Sequence, residues 1–185
     1  MNIDPNGCFW KELYNGINTV LGLLNPVNKI TAISSIAIAM FQGRWSELSD
    51  DWQNGCFNPF NWDEETAVKA NVFSFYKGSS VVRHSFGGSL QVFGTIFMDS
   101  TETIDNGGIE TLNHEWGHSV QENILGPAYL INIALPSGVY YWYDVKTGGT
   151  SKSYYSTPWE RTADWFGGVT RSYGYKEGGI GMGYC

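Results

Sequence analysis

The sequence predicts an α+β fold, with helices before and after a small antiparallel sheet. Up to about residue 70, apolar residues recur at three- and four-residue steps, the period of an amphipathic helix. From Asn71 the segments become rich in β-branched and aromatic residues and are separated by glycine turns, as strands are. Helix start and stop signals return after residue 103. At 185 residues, the chain is long enough to fold as one domain around its own core.

Two helices are predicted at the start of the chain. Apolar residues between Phe9 and Leu24 fall on one face of a helix that Pro26 stops. A second helical segment covers residues 27–41 and ends at Gly43. Amphipathic helices in globular proteins usually turn their apolar face to their own core, so we expect this face to be buried.

The middle of the chain predicts two short helices and the sheet. RWSELSDDW suggests a third helix before a loop, and the acids of WDEETAVKA suit the N-terminus of another. Three segments with strand composition follow, separated by the KG and GG turns, and we expect them to pair antiparallel: NVFSFYKG, SSVVRHSF and SLQVFGTIFMDS.

Two helices are predicted in the last third of the chain. The first covers about residues 109–125, with Gly126 and Pro127 as its stop. The second begins within YSTPWERTADWFGGV, because Pro158 fits a first helical turn and Gly167 fits a C-terminal cap. These two helices carry the ionisable residues discussed below.

Composition excludes some classes of partner. A net charge of -7 and the lack of any run of Lys and Arg leave no basic footprint for nucleic acid or anionic lipid, so we expect neither nucleic acid nor a membrane as partner. The longest apolar run, residues 30–41, is interrupted by Ser and is too short to span a bilayer. Residues 1–16 lack the basic start and early apolar stretch of a signal peptide, so the sequence indicates no export route of its own.

The three cysteines are odd in number and far apart, at Cys8, Cys56 and Cys185. They lack the close pairing of a structural zinc site. This pattern favours reduced thiols in a reducing compartment, with a disulfide as the alternative.

The stretch TLNHEWGHSV indicates a metal site on a helix. His114 and His118 are four residues apart, so they lie on one helical face where two imidazoles can hold the same ion. Glu115 is rotated away by one residue, so it is predicted to act as a general base on a water in the open metal position. Zinc is the metal that this pattern favours. The alternative is a helix whose histidines make only polar contacts.

A third protein ligand must come from another element. Glu110 and Glu122 lie too far along the helix axis to share an ion with both histidines, and are expected to be solvated or hydrogen-bonded. Glu160 can bind the metal, while Asp164, one turn later, accepts the free imidazole N–H of a ligand histidine. The alternative is a surface carboxylate pair beside Arg161.

HExxH on one helix and ExxxD on a later one resemble the gluzincin metallopeptidases, the thermolysin-like class in which two His and one Glu hold zinc. The resemblance implies a zincin-like fold with His114, His118 and Glu160 as zinc ligands. It also implies Glu115 as the base and Asp164 as the hydrogen-bond acceptor of His114. A strand before the active-site helix is expected in that class, and QVFGTIFMDS is placed to supply the edge on which a peptide lies.

A second resemblance covers most of the chain. NIDPNGCFW resembles the DPxG junction at which Rhs-repeat polymorphic toxins give way to their C-terminal domains, so residues 1–8 read as a junction and 9–185 as one metallopeptidase domain. Further motifs, in order, resemble the metalloprotease domains at such C-termini: FYKGSSVVRHSFGG, GTIFMDS, TLNHEWGHSVQ, GPAYL, ALPS and YYSTPWERTADWFGGV. This resemblance implies an effector delivered within a larger bacterial toxin into a target-cell cytoplasm, with a protein or peptide substrate and a cognate immunity protein.

Peptide hydrolysis also needs a donor for the tetrahedral oxyanion. The candidates are Tyr154, Tyr155, Arg161 and His84, of which Tyr155 and His84 rank first as transition-state stabilisers. His84 lies in a predicted strand, where a packed or hydrogen-bonded role is the alternative. The function opposed to a zinc peptidase is a membrane-active or protein-binding toxin domain with a structural zinc site.

Overall fold

A computed structural model of the chain describes residues 8–85, 87–148 and 154–171. Residues 1–7 of the predicted junction, and Cys185, lie outside the described residues. The helices are α1 (Cys8–Leu24), α2 (Pro26–Phe41), α3 (Trp45–Gln53), α4 (Glu64–Lys69), α5 (Gly108–Leu125), α6 (Leu135–Thr147) and α7 (Pro158–Gly167). The strands are β1 (Phe73–Tyr76), β2 (Ser79–His84), β3 (Leu90–Val92) and β4 (Thr95–Asp99). The predicted mixture of helices around a small sheet is therefore confirmed.

One helix was not predicted by the sequence. A π-helical turn, Leu130–Ala134, leads directly into α6. Much of this segment is exposed and apolar, including Ile131, Leu135 and Trp142. Because its apolar residues do not form a single buried stripe, the usual periodic signal of an amphipathic helix is missing.

The sheet is mixed, so the expectation of a purely antiparallel sheet is wrong. The strand order is β1-β2-β4-β3, with antiparallel pairs at both ends and a parallel pair, β2 and β4, in the centre. The predicted strand 89–100 forms two strands that turn at Phe93 and Gly94. After β2 the chain passes the position of β4, forms the edge strand β3 and returns alongside β2. The predicted edge is thus β3 alone, while β4 is internal.

Both faces of the sheet are covered by helices. On one face, α5 packs through the core residues Leu112, Trp116 and Val120 against the strand residues Tyr76, Val81, Ile96 and Met98. On the other face, α2 and α3 pack through Ala32, Ala39 and Leu48 against Phe73, Phe75 and Val82. Glu122 also ties α5 to the β3–β4 turn, because its Oε2 accepts from Gln91 Nε2 at 2.6 Å and from the Gly94 N–H at 2.7 Å. These contacts fix the HExxH helix against the sheet.

The first two helices are oriented opposite to the sequence expectation. Their buried residues are mainly polar or small, including Asn15, Asn18 and Asn28, while their large apolar residues face outward. Asn18 Nδ2 donates to Ser119 Oγ of α5 at 3.0 Å, and Asn28 Nδ2 donates to the Gly78 carbonyl at 3.1 Å. Since buried amides must be hydrogen-bonded, these contacts decide which face turns inward.

Helices α5 and α7 cross with their backbones in contact. Gly117 of α5 faces the carbonyl group of Ala163 in α7, and a Cβ at Gly117 would overlap that carbonyl. Gly167 faces the carbonyl of Asn113 in the same way. Gly117 lies inside the HExxH motif and Ala163 inside the ExxxD motif. The two glycines therefore set how closely the two motifs approach each other.

We expect Gly117→Ala to lower the free energy of unfolding by about 1–3 kcal/mol or more, because the overlapping atoms belong to a backbone that cannot swing aside. Gly138→Ala is the matched control: Gly138 lies in α6, and a Cβ there meets nothing within 4 Å. The control should be unchanged or stabilised by up to about 1 kcal/mol. Urea unfolding of the chelator-treated proteins measures both, and equal responses would contradict the packing argument.

Candidate metal centre

Three predicted ligands converge between α5 and α7. His114 Nε2 lies 2.9 Å from Glu160 Oε2, and His118 Nε2 lies 3.2 Å from the same oxygen. One ligand atom from each of these residues lies within 4.8 Å of the other two, and all three residues are buried. The structure thus brings His114, His118 and Glu160 together as the motif spacing predicted.

The separation of these atoms fits a small tetrahedral ion. With metal–ligand bonds of about 2.0–2.1 Å, tetrahedral geometry separates neighbouring ligand atoms by roughly 3.3 Å. The two nitrogen–oxygen distances, 2.9 and 3.2 Å, need only a slight expansion to reach that value, and the three ligand atoms all lie within 4.8 Å of one another. Two imidazole nitrogens and one carboxylate oxygen are also a donor set that zinc prefers. The residues present therefore fit zinc, and three protein ligands leave a fourth position open.

The Nδ1 atom of each histidine is held by its own partner. His114 Nδ1 lies 2.7 Å from Asp164 Oδ1, as predicted for Asp164. His118 Nδ1 lies 2.7 Å from Gln121 Oε1, and Gln121 Nε2 donates to the Trp159 carbonyl at 2.7 Å. A ring N–H that donates to such an acceptor fixes the tautomer and leaves the Nε2 lone pair for a metal. Both rings are therefore oriented for a common ion.

The second oxygen of Glu160 is held from α6. Ser137 Oγ donates to Glu160 Oε1 at 2.6 Å, and the Tyr154 hydroxyl lies 2.6 Å from the same Ser137 oxygen. Because Oε1 is engaged there, Oε2 is the oxygen that faces the two imidazoles. The helix that the sequence did not predict thus orients one of the predicted ligands.

Asp164 is itself clamped by a cation. Arg171 Nε lies 3.1 Å from each Asp164 oxygen, and the guanidinium carbon of Arg171 lies 3.6 Å from the centre of the Tyr155 ring. The Tyr155 ring in turn meets the His114 ring edge to face, with the centroids 5.2 Å apart. Arg171 therefore contacts both Asp164, which accepts from His114, and the Tyr155 ring, which packs on the His114 ring.

The predicted base lies next to the ligands. Glu115 is buried, with 7% of its surface exposed. Burial is the main cause that raises the pKa of its carboxyl, which the neighbouring His114 and His118 partly offset. A carboxylate with a raised pKa is a better proton acceptor near neutral pH than an exposed one. The position and environment of Glu115 suit a general base.

In the absence of a metal, the His114 imidazole binds a proton tightly. Burial opposes the charged form of His114, but hydrogen bonds with Asp164 and Glu160 outweigh it and raise the pKa of the imidazole to about 9. Burial also opposes the Glu160 carboxylate, yet hydrogen bonds with His114 and His118 hold its pKa well below the usual range. A proton and a metal therefore compete for Nε2 of His114.

His84, one of the two preferred stabilisers, is not brought to the cluster. Val81 packs on the α5 side of the sheet and Val82 on the α2 side, so alternation places His84 on the α2 side. There it lines a cavity of about 300 Å³ with Ile38 of α2 and Gln42, the residue that follows this helix. The sheet separates this side chain from α5, which supports the packed role over a catalytic one.

Sequence reasoning missed Gln121, Ser137 and Arg171. Gln121 belongs to neither HExxH nor ExxxD, although its place three residues after His118 puts it within reach of that ring. Ser137 and Arg171 carry no motif, because their roles depend on how α6 and the chain after α7 return to the cluster. Cys56 is buried, and burial raises the pKa of its thiol to about 11.

Comparisons with known proteins found no match to this chain. No family model matches the chain, and neither a curated protein nor a solved structure matches it. The resemblance to the gluzincins stays a prediction, and the metal centre rests on its three side chains and their hydrogen-bond partners.

The pKa of His114 predicts how zinc stabilisation varies with pH. Its rise from about 6.5 in an unfolded chain to about 9 in the fold stabilises the metal-free protein below pH 6.5, and this contribution disappears as pH rises through 9. Zinc requires the deprotonated ring, so the zinc-induced increase in Tm should grow from about pH 6 to about 9. Thermal unfolding of zinc-loaded and chelator-treated protein measures it. An increase that is constant or shrinks over this range would contradict the prediction.

Gln121→Ala should weaken zinc binding by about 10–100-fold, because His118 loses the acceptor that orients its ring. A competition titration with a chromogenic zinc chelator measures the affinity. Gln53→Ala is the matched control, since Gln53 is exposed at the end of α3 and its amide bonds only to Ser49 of that helix. If the two variants bind zinc equally well, Gln121 has no orienting role.

Proposed function

We propose that this chain is a zinc-dependent peptidase of the gluzincin type with a zincin-like fold. The observation that carries the proposal is the buried convergence of His114, His118 and Glu160, one ligand atom of each within 4.8 Å of the others. Support comes from the separate partners on the two Nδ1 atoms, Asp164 and Gln121. A set of contacts that orients every ligand is what a specific metal centre requires.

When held by His114, His118 and Glu160, zinc would supply a Lewis acid and a water of lowered pKa. Glu115 would serve as the base that accepts a proton from the attacking water and returns it to the leaving amine. Of the two preferred candidates, Tyr155, whose ring contacts His114, is the one placed to donate to the tetrahedral oxyanion. Asp164 and Gln121 keep the rings in place throughout.

The position of β3 supports a peptide as substrate. The Tyr129 hydroxyl donates to the Gln91 carbonyl of β3 at 3.5 Å, and the Tyr129 ring lies 6.4 Å from the His118 ring. The edge strand therefore runs beside the cluster. An extended peptide that adds to this edge would carry its backbone past the histidines.

The cluster is enclosed, so the proposed activity requires part of its cover to move. His114, Glu115, His118 and Glu160 are all buried. Ser137 of α6 and Tyr155, the residues that contact Glu160 and His114 from outside α5 and α7, belong to this cover. A peptide reaches the open metal position only when these side chains shift.

The biological setting follows from the Rhs resemblance and is proposed with it. In that setting the domain is delivered as part of a larger bacterial toxin and cleaves a protein in the target-cell cytoplasm. A cognate immunity protein would then protect the producing cell. No part of the metal chemistry depends on this setting.

The enclosure of the cluster favours a second candidate function. Structural zinc sites are closed by protein, whereas catalytic sites keep one position accessible. In this alternative the ion only holds α5 against α7, and the domain acts through another surface. Glu115 distinguishes the two candidate functions, because a structural zinc site does not require a general base.

Two substitutions test the proposal. The wild-type protein should contain roughly one zinc per chain and hydrolyse a labelled, unfolded protein such as casein. Glu160→Ala should lose both the zinc and the hydrolysis. Glu115→Gln should keep the zinc but lower hydrolysis by about 10²–10⁴-fold, because only the base is removed. Zinc is measured by elemental analysis and hydrolysis by release of fluorescent peptides.

Glu110→Gln is the matched control, since it makes the same change at an exposed position of α5. It should keep both zinc and activity. A folded wild-type protein that binds no zinc when zinc is added would refute the metal centre. A zinc-loaded wild-type protein without hydrolytic activity would instead favour the structural site.

A further inference from the structure

Glu160 has two carboxylate oxygens, and only one of them faces the two imidazoles. Oε2 lies 2.9 Å from His114 Nε2 and 3.2 Å from His118 Nε2. Oε1 accepts from Ser137 Oγ at 2.6 Å. Glu160 is fully buried and Ser137 is 9% exposed, so solvent has little access to either group. The two oxygens of one carboxylate therefore have different partners, on different helices.

The hydrogen bonds beyond Oε1 point toward Glu160. A carboxylate that binds a metal is ionised and can only accept a hydrogen bond. The single hydroxyl hydrogen of Ser137 is therefore donated to Glu160. In the contact of 2.6 Å between the Ser137 and Tyr154 hydroxyls, Tyr154 is then the donor. The hydroxyl hydrogen of Tyr154 is thus used within this chain and is not left for the oxyanion, a role for which Tyr154 was a candidate.

The ring of Tyr154 is held in place by its neighbours. It meets the Tyr141 ring of α6 edge to face, with the centroids 5.6 Å apart, and the Tyr155 ring in the same way at 5.0 Å. A donor whose ring is packed on two sides keeps a fixed direction, so it fixes the Ser137 hydroxyl in turn. The chain from Tyr154 through Ser137 to Glu160 is therefore oriented before any ion binds.

The number of oxygens that Glu160 offers affects which ions suit the site. A carboxylate can bind an ion through one oxygen or through both, and ions with six or more oxygen ligands often use both. Tetrahedral zinc needs four ligands, which two imidazoles, one carboxylate oxygen and a water supply. Mn²⁺ instead prefers six ligands rich in oxygen. Because Oε1 is held by Ser137, the three ligand residues offer Mn²⁺ only one oxygen.

We propose that Ser137 and Tyr154 are positioning residues that restrict Glu160 to one oxygen toward the ion, and that they thereby make the metal centre select Zn²⁺ over Mn²⁺. Both residues act through Glu160 and neither is a ligand. Without the Ser137 hydroxyl, Oε1 is a buried acceptor without a partner, and a bound ion becomes the group that satisfies it. This inference rests on the metal site of the proposed function and not on peptide hydrolysis.

The affinities of two variants for the two ions test this proposal. Ser137→Ala should weaken Zn²⁺ binding by about 10–100-fold, because Glu160 is no longer oriented. Its Mn²⁺ affinity should be unchanged or higher, since a second oxygen offsets the lost orientation, so the ratio of the two dissociation constants should shift toward Mn²⁺ by at least about tenfold. Tyr154→Phe keeps the hydrogen bond of Ser137 to Glu160 and should shift the ratio in the same direction by a smaller factor. Competition with a chromogenic chelator measures Zn²⁺ binding, and the electron paramagnetic resonance signal of free Mn²⁺ measures Mn²⁺ binding.

Ser46→Ala and Tyr143→Phe are the matched controls, since they make the same changes at exposed positions of α3 and α6. Both should bind the two ions like the wild type. A variant that behaves like its control, or that loses affinity for both ions by the same factor, overturns the proposal for that residue. If Ser137→Ala does not fold, Tyr154→Phe decides by the same criterion. A wild-type protein that binds zinc without hydrolysing casein refutes the peptidase and leaves the ion selectivity standing, whereas one that binds no zinc overturns both.

Discussion

The contact between the backbones of α5 and α7 is the constraint on which the metal centre depends. Two glycines, Gly117 and Gly167, remove the side chains that would otherwise hold the helices apart. Without that approach, the carboxylate of Glu160 could not reach the imidazoles of α5, since a glutamate side chain spans only a few ångströms. The sheet and α6 then complete the arrangement, the sheet by fixing α5 and Ser137 of α6 by orienting Glu160.

Within that frame, hydrogen bonds decide the chemistry of the cluster. Asp164 and Gln121 occupy the Nδ1 atoms, so both Nε2 atoms point to one oxygen. The same contacts favour a protonated His114 when no ion is bound, because the ring then lies between two carboxylates. The arrangement is thus tuned to a positive charge, which either a proton or a metal can supply. The raised pKa of His114 links the stability of the fold to pH.

The fold separates two kinds of surface. The chemical cluster is enclosed between α5, α6 and α7, while many exposed apolar side chains lie on α1 and α2, which contact α5 and the β1–β2 turn through buried asparagines. An enclosed polar site and an exposed apolar face reverse the usual arrangement of a globular protein. The reversal is specific, because hydrogen bonds hold both in place.

The sequence by itself determined the α+β composition and identified the three side chains that converge, because helix spacing places His114 and His118 on one face whatever surrounds them. Local signals also located most helices. Tertiary structure alone decided the parallel central strands, the helix α6, the distance of His84 from the cluster and the outward face of α1. Each of these depends on contacts between residues far apart in the chain. Amphipathic spacing states that a helix has two faces, but only the partners of Asn18 and Asn28 decide which one turns inward.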